Sequence, residues 1–534
     1  MNLEFHNYAT VDKNGVSYQL QRADITRCPE FWRAWRSETT KAELKKLIYI
    51  NNVDKHWYAY RQSPIGKDTG YEPFNFNYQL RFPEGLLPYQ PCAVAHLVQS
   101  LIDNGAAADG SDTGIGKTYQ ALAVCRELSL EPVVVCRKAG VSSWLKACQA
   151  MKVRPRVIVN WEMMRTGKVT INGKHVLKRT KRSYRSGYDF EWRLPQGVLL
   201  IFDEAHLGFN PDSLNYAMWT ASAGIASISA SATFADRPSR LRGLFKVLRV
   251  MEEEEFDKWL VKRGNFLNQY NEYESLAALD DMKAINKILY PGYGYRVSYD
   301  DPGVKAYFPE RVIQTEIVDL GEKSVEEQNR SYFDMIEKAK KLKELGKQAE
   351  LMVADLRYRQ YAELLKVPIL VDMAREYLYE GKAVVVFVNF RETLAQLMKH
   401  LNTKNCIFGD QERFGIDREK VIEDFQSGRE RIALCMALAG GQSLSLHDLQ
   451  GNYQRISLIC PTYDPVVLQQ ILGRTFRAGT KTTPIMKLVY AAKTVEEKVA
   501  ETVNRKLANI SALNNGDLME PDLFSLGVTP HENG

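Results

Sequence analysis

Long hydrophobic runs are missing from this chain of 534 residues. No stretch approaches the roughly 18 consecutive apolar residues that a membrane helix requires. The opening segment, MNLEFHNYATVDKNG, has no basic stretch followed by an apolar run, so a secretory leader and a membrane span are not expected. Cysteine is scarce and scattered. The eight (Cys28, Cys92, Cys125, Cys136, Cys148, Cys406, Cys435 and Cys460) form no C-x-x-C pair, and no histidine cluster stands at metal-ligand spacing. That pattern argues against a disulfide framework and points to a reducing compartment. A strong charge imbalance is also lacking: 71 basic against 65 acidic residues leave +6, too little to prove a nucleic-acid partner. These absences predict a cytoplasmic chain that touches no membrane. A phage-encoded protein would work in the cytoplasm of its host, and a nuclear location stays open.

What is present is the composition of an ordinary globular protein, 45% hydrophobic and 25% charged. At about 100 to 200 residues per domain, the length predicts three or four domains. Residues 1–80 mix aromatic and charged residues, among them Phe31, Trp32, Trp35, Trp57, Tyr58 and Tyr60, and read as a small accessory domain. These aromatics fit a core better than a base-stacking platform. From 81 the pattern changes to short apolar runs between helical stretches: PVVVCR (132–137), VLLIFDEAH (198–206) and IASISASAT (225–233). Runs that are apolar nearly throughout suit parallel strands covered on both faces. A charged, helix-rich stretch at 319–366 is followed by a second set: AVVVFVN (383–389), RIALCMA (431–437) and RISLICP (455–461). The expected plan is two similar α/β halves, 81–312 and 313–512, with a C-terminal tail at 513–534.

Three short stretches carry chemistry. SDTGIGKTYQ (111–120) nearly spells a phosphate-binding loop, with Ser111 where the strict pattern has its first glycine. Such a loop must follow a strand and open a helix, so that backbone amides face the phosphates. TYQALAVCRELSL is helix-compatible, whereas AAAD before the loop is a poor strand by itself. Gly114 and Gly116 supply flexible backbone nearest the phosphates. DEAH (203–206) follows VLLIF and therefore ends a strand, on the sheet edge where ligands bind in open α/β folds. An aspartate there can hold Mg²⁺ and the next glutamate can deprotonate water. QQILGRTFRAG (469–479) carries Arg474 and Arg477 three apart, which share a face if both lie on a helix. The bland alternatives are a glycine-rich turn, an acidic helix cap and a solvated basic helix. All three stretches in this order and spacing argue against them.

On those residues the chain resembles superfamily 2 helicases and translocases, most of all the branch of the Swi/Snf-type remodelling ATPases, over about 86–510. LLPYQ (86–90) resembles the adenine-reading Q motif, VVVCRKAGVSSWLKA motif Ia with its tryptophan Trp144, SAT (231–233) motif III, VVVFVNFRETLAQL motif IV, and AGGQSLSL (439–446) motif V. FGDQERFGIDREKVIEDFQ is similar to the family segment that ends in a buried phenylalanine, here Phe425, and TVEEKVAETVNRK (494–506) to the helix closing the motor. Ser443 and Ser445 depart from motif V, replacing its Gly and Asn.

The resemblance implies an α/β fold of two tandem RecA-like parallel-sheet domains with ATP in the cleft between them. It implies that Lys117 binds the β- and γ-phosphates beside Gly114 and Gly116, Thr118 and Asp203 hold Mg²⁺, and Glu204 orients the water. Gln90 would read the adenine edge, and Arg474 and Arg477 would be arginine fingers with Gln470 beside them. His206, Ser231 and Thr233 would link the nucleotide state to nucleic acid.

For the track, the stretch 166–196 reads as a basic hairpin insertion, with Lys168, Lys174, Lys178, Arg179, Lys181, Arg182, Arg185 and Arg193 against only Asp189 and Glu191. NGK (172–174) fits a tight hairpin turn. The ribbon could follow phosphates and use Tyr184, Tyr188 and Trp192 to stack or wedge against bases. A solvated surface ribbon, or a nuclear address in KRTKR, are the alternatives. The expected partner is DNA, single- or double-stranded, with RNA ranked behind it because the motifs lean to the DNA-translocating branch. Unwinding, duplex translocation without strand separation, and an ATP-switched clamp remain open readings of the motor.

Overall fold

The computed structural model describes residues 7–13, 16–21 and 80–515, apart from 321–347, 183–186, 268–272, 441–444 and a few single positions. The accessory domain expected at 1–80 therefore lies almost wholly outside the described residues. Its described part is an antiparallel hairpin, Asn7–Lys13 with Val16–Gln21. Among the described residues no helix is long and apolar enough to cross a membrane.

The chain divides into two compact units, a first that reaches to Ala306 and resumes at Ala508, and a second from Tyr307 to Leu507. Each is built on a six-stranded, all-parallel sheet. The first contains β1 (Ala106–Asp109), β2 (Glu131–Cys136), β3 (Val157–Asn160), β4 (Val198–Asp203), β5 (Ser227–Ala230) and β6 (Gly294–Tyr295), in the order β6-β1-β5-β4-β2-β3. The second contains β7 (Val312–Val318), β8 (Ala383–Val388), β9 (Cys406–Ile407), β10 (Ile432–Met436), β11 (Arg455–Ile459) and β12 (Ile485–Ala491), ordered β7-β12-β11-β8-β10-β9. These are the two RecA-like sheets that the apolar runs predict.

Alternation along the strands builds the first unit's two cores. Ala107, Val134, Leu199, Ile201 and Ile228 face helices α1 (Gln90–Asn104) and α2 (Lys117–Leu128). Ala106, Ala108, Val135, Leu200 and Phe202 face Trp161, Trp219 and Phe245 on the other side. Each fully buried Leu or Ile is worth about 2 kcal/mol of hydrophobic transfer, so the layers fix strand register firmly.

AAAD proves to be β1, next to the sheet's centre, with all four residues buried. Its weak intrinsic preference is overridden by packing. A Cβ on Gly294 of β6 would meet the carbonyl oxygen of Ala108 at 2.2 Å, so the two strands approach closely enough to need small residues. β1 and β6 thus lack the β-branched run that reveals the others.

Candidate functional site

Strand register brings three loops to one edge of the first sheet. Asp109 at the end of β1 pairs with Ala230 at the end of β5, and Ala230 pairs with Asp203 at the end of β4. The phosphate loop (110–116), SAT (231–233) and DEAH (203–206) consequently leave the sheet side by side, at the carboxyl ends where ligands bind in such folds.

The phosphate loop turns into α2 through Gly114 and Gly116, both with positive φ (81° and 100°). Gly116 also faces the side chain of Gln90, and a Cβ there would stand 2.3 Å from its Nε2. Gln90 is buried and uses both ends of its amide: Nε2 donates to the carbonyl of Ile115 (2.9 Å) and Oε1 accepts from the amide of Leu87 (2.7 Å). The hydroxyl of Tyr89 donates to the same Ile115 carbonyl at 3.0 Å. Gln90 is therefore a brace for the phosphate loop in this structure, a role the sequence does not reveal.

Lys117 folds back over the loop and donates through Nζ to the carbonyls of Ser111 (2.8 Å) and Asp112 (3.0 Å). Burial lowers its pKa, opposed by the charges of Asp109, Glu204, Asp203 and Asp112. Ser111 takes part in the fold rather than interrupting it. Its amide donates to Oδ1 of Asp109 (3.0 Å) and its hydroxyl accepts from the amide of Val297 (3.1 Å). Thr118, next along α2, is half-buried.

Asp203 is enclosed. Its Oδ2 accepts from the indole of Trp144 (2.9 Å) and Oδ1 from the amide of Glu204 (3.1 Å), while its carbonyl accepts from Trp161 (3.1 Å). Burial pushes its pKa up to about 6, with the neighbouring Glu204 charge acting the same way and Trp144 and Lys117 opposing. Glu204 stands in the left-handed region (φ 52°), a conformation that costs a non-glycine residue about 1 kcal/mol or more and concentrates at functional sites.

His206 joins two of the loops. Nδ1 lies 3.0 Å from the Ser231 hydroxyl and 3.4 Å from Oε2 of Glu204, and Nε2 lies 3.3 Å from Nη2 of Arg137. The hydroxyl hydrogen of Ser231 goes to the carbonyl of Thr233 (2.9 Å). The network thus assigns the ring proton to Nδ1, donating to Ser231, with Nε2 accepting from Arg137. Ser231 is tied in turn to β1, through its amide to the carbonyl of Asp109 (3.0 Å).

The second unit holds the arginines. Helix α3 (Pro465–Thr475) starts with Asp464 as its cap, whose carboxylate accepts from the amides of Val466 and Val467, and with proline at the first position. Gln470 and Arg474 lie on it and are buried, 3% and 2% exposed. Arg477 does not share their helix. α3 ends at Thr475, Phe476 is extended, and the shared-face expectation for Arg474 and Arg477 fails because the chain has left the helix. Arg477 instead donates from Nη1 to the Ser445 hydroxyl (2.8 Å) and from Nε to the carbonyl of Gly473 (3.3 Å). Ser445, one of the two departures from motif V, is thereby fastened to Arg477. Ser443 lies outside the described residues.

The basic ribbon exists, but much of its charge is already paired. Asn172 and Gly173, both with positive φ, close the hairpin of Thr170–Ile171 and Lys174–His175, and Leu177–Lys181 pairs with Tyr188–Trp192. Lys178 meets Glu191 (3.7 Å), and Arg182 meets Asp189 (2.7 Å). Arg179 lies 3.5 Å from the centre of the Tyr188 ring. Lys181 is exposed, and Arg185 and Tyr184 fall outside the described residues. Trp192 is no wedge. It is buried in the core and its indole donates to the carbonyl of Met218 (3.0 Å), because the second strand is amphipathic and turns that face inward.

Residues 366–479 match the family described as the helicase conserved C-terminal domain. A curated protein of Acanthamoeba polyphaga mimivirus, named as an ATP-dependent RNA helicase, is 31% identical over 468 residues, which cover 81% of this chain and 84% of that protein. The Sulfolobus solfataricus SWI2/SNF2 ATPase core in complex with dsDNA aligns with 15% identity and a TM-score of 0.31, covering 85% of this chain and 97% of that one. Identity of that extent to a helicase, joined to the matched C-terminal helicase domain, places this chain in superfamily 2: it belongs to the helicases and translocases that hydrolyse ATP in dependence on nucleic acid.

Proposed function

We propose that the chain is an ATP-driven motor on DNA, which converts hydrolysis into movement along the strand or its separation. The observation that carries the ATP chemistry is the common edge on which Lys117, Asp203, Glu204 and the His206–Ser231 pair meet. Lys117 would leave the carbonyls of Ser111 and Asp112 for the nucleotide phosphates, where a cation stabilises developing charge. Glu204, one residue beyond the strand, would orient and deprotonate the attacking water. Arg474 and Arg477, assigned to the second unit, would act as arginine fingers, with Gln470 on α3 one turn before Arg474.

The donor set also suits Mg²⁺. Asp203 offers a half-buried carboxylate with hard oxygens, two of whose contacts are neutral donors, and Thr118 offers a hydroxyl next to Lys117. Bound there, Mg²⁺ would supply charge neutralisation for the β- and γ-phosphates. Thr118 and Asp203 would hold it.

For the track, the motif V segment and the basic ribbon favour DNA, with the exposed Lys168, Lys174 and Lys181 as phosphate contacts among the described ribbon residues. The RNA-helicase name of the mimivirus protein supports RNA as a second reading. The test is the ATPase rate with no nucleic acid, single-stranded DNA, duplex DNA and RNA in parallel at one salt concentration. Stimulation by DNA well above RNA supports the proposal, and stimulation by RNA alone overturns it in favour of the second reading.

A further inference from the structure

No motif covers residues 293–299, yet they grip the first half of the phosphate loop. The pairing of β6 with β1 continues past both strand ends. The amide of Ala108 donates to the carbonyl of Tyr293, that of Gly110 to Tyr295, and that of Asp112 to Val297, each at 2.9 Å, and the amide of Val297 returns to the Ser111 hydroxyl. Side chains reinforce this strap. Arg296 donates from Nη1 to the carbonyl of Gly110 (2.6 Å) and pairs through Nη2 with Oδ1 of Asp112 (2.5 Å). Its side chain is 8% exposed and that of Asp112 15%, so the pair is shielded from water. The amide of Tyr299 takes the other carboxylate oxygen, Oδ2, at 3.0 Å, and its hydroxyl donates to the carbonyl of Thr113.

Asp112 is thus held by its side chain at both oxygens, while its own carbonyl is one of the two that receive Lys117 Nζ. The strap stands one residue away from the ammonium that family membership assigns to ATP. From Tyr299 the chain then runs to Ala306, the last residue of the first unit before the crossing.

We propose that Arg296 and Tyr299 are positioning residues for ATP hydrolysis: by fixing Asp112 and Thr113 they set the carbonyls from which Lys117 departs to meet the phosphates. Preorganisation of this kind matters because a loop that must be ordered at each binding event spends binding energy on the ordering. An unbraced loop costs affinity and misplaces the lysine.

The test uses the full chain without nucleic acid, so the choice of track does not enter. ATP KM, kcat, the Kd of a fluorescent ATP analogue and the thermal midpoint are measured for Arg296→Gln, Tyr299→Phe, Asp112→Asn and the double variant Asp112→Asn/Arg296→Gln. Arg296→Gln is expected to raise KM and Kd about tenfold and Tyr299→Phe about threefold, with Arg296→Lys restoring part of the loss. The double variant should lose less than the two singles added together, since both remove the Arg296–Asp112 pair. Tyr299→Phe removes a single hydroxyl, so it decides the matter if Arg296→Gln fails to fold. Unchanged KM and Kd in folded variants, with only the thermal midpoint lowered, would make the strap purely structural and overturn the proposal. The inference rests on the phosphate loop binding ATP. If the wild-type chain bound no analogue, that reading would fail first, and this one with it.

Discussion

Nδ1 of His206 and the hydroxyl of Ser231 are 3.0 Å apart, and this contact joins DEAH, at the end of β4, to SAT, at the end of β5. Ser231 also reaches back to Asp109 at the base of the phosphate loop. One hydrogen-bonded line therefore runs from His206, whose ring lies 3.4 Å from the Glu204 carboxylate, to the strand that leads into the phosphate loop. Hydrogen bonds of this kind contribute about 1 kcal/mol each, enough to shift a coupling severalfold without holding the fold together.

Ser231→Ala breaks that line while leaving Lys117, Asp203 and Glu204 in place. The expected result is a fall in stimulation by nucleic acid of about fivefold, larger than the fall in basal ATPase, since a loss near 1 kcal/mol is worth about that factor. The ratio of stimulated to basal rate measures it. An unchanged ratio would show that SAT does not transmit nucleic-acid binding through His206.

Gly116→Ala meets two obstacles at once. A Cβ would stand 2.3 Å from Nε2 of Gln90, and φ is 100°, where an L side chain is strained. The brace of Gln90 on Ile115 must give way, so ATP affinity should fall about tenfold or more, with a stability loss of about 1 to 3 kcal/mol. Nucleotide titration and thermal denaturation report the two effects separately.

Within the ribbon, the pairings separate residues that the sequence treats alike. Lys181 is exposed, whereas Arg182 is paired with Asp189 and Arg179 with the Tyr188 ring. Lys181→Glu should weaken DNA binding and lower the slope of log K against log salt by about one. Arg179→Ala should act mainly by loosening the ribbon, lowering the thermal midpoint. Binding measured at several salt concentrations distinguishes the two, and an unaffected slope in Lys181→Glu would take the ribbon off the phosphate path.

His447, beside motif V, supplies a pH dependence. Burial lowers its pKa to about 4, and the charges of Arg477 and Arg455 push the same way, against Asp448. Between about pH 4 and the unfolded value near 6.5 the unfolded chain binds more protons than the folded one, so stability rises with pH across that window. The gain is up to about 3 kcal/mol, present above pH 6.5 and lost as pH falls toward 4. His447→Asn should flatten the change in thermal midpoint between pH 5 and 7. A slope equal to that of wild type would place the titration elsewhere.

The parts of the site legible in sequence are those whose chemistry is local. DEAH and SAT each follow a short apolar run, and GIGKT is marked by its own glycines and the helix-compatible stretch after it. The NGK turn was readable for the same reason, since Asn172 and Gly173 must both take positive φ. What stayed hidden depends on partners far along the chain. AAAD becomes a strand because β5 and β6 close on it, which its three alanines permit but do not announce. Trp192 looks like an exposed wedge until α-helical Met218 is found beneath it. Arg474 and Arg477 sit at a helical spacing, but Phe476 has already turned the chain out of the helix. The strap at 293–299 binds the phosphate loop through backbone and side-chain hydrogen bonds across more than 180 positions, which leaves no local pattern.

Glu204→Gln tests the central claim most directly. The substitution keeps the size of the side chain and its left-handed backbone but removes the base. With duplex DNA present, turnover should fall by about 10² to 10⁴, the usual contribution of a general base, while the affinity for an ATP analogue stays within about twofold of wild type. Turnover near the wild-type rate would contradict the assignment of Glu204 to the attacking water, and with it the account of how this sheet edge hydrolyses ATP.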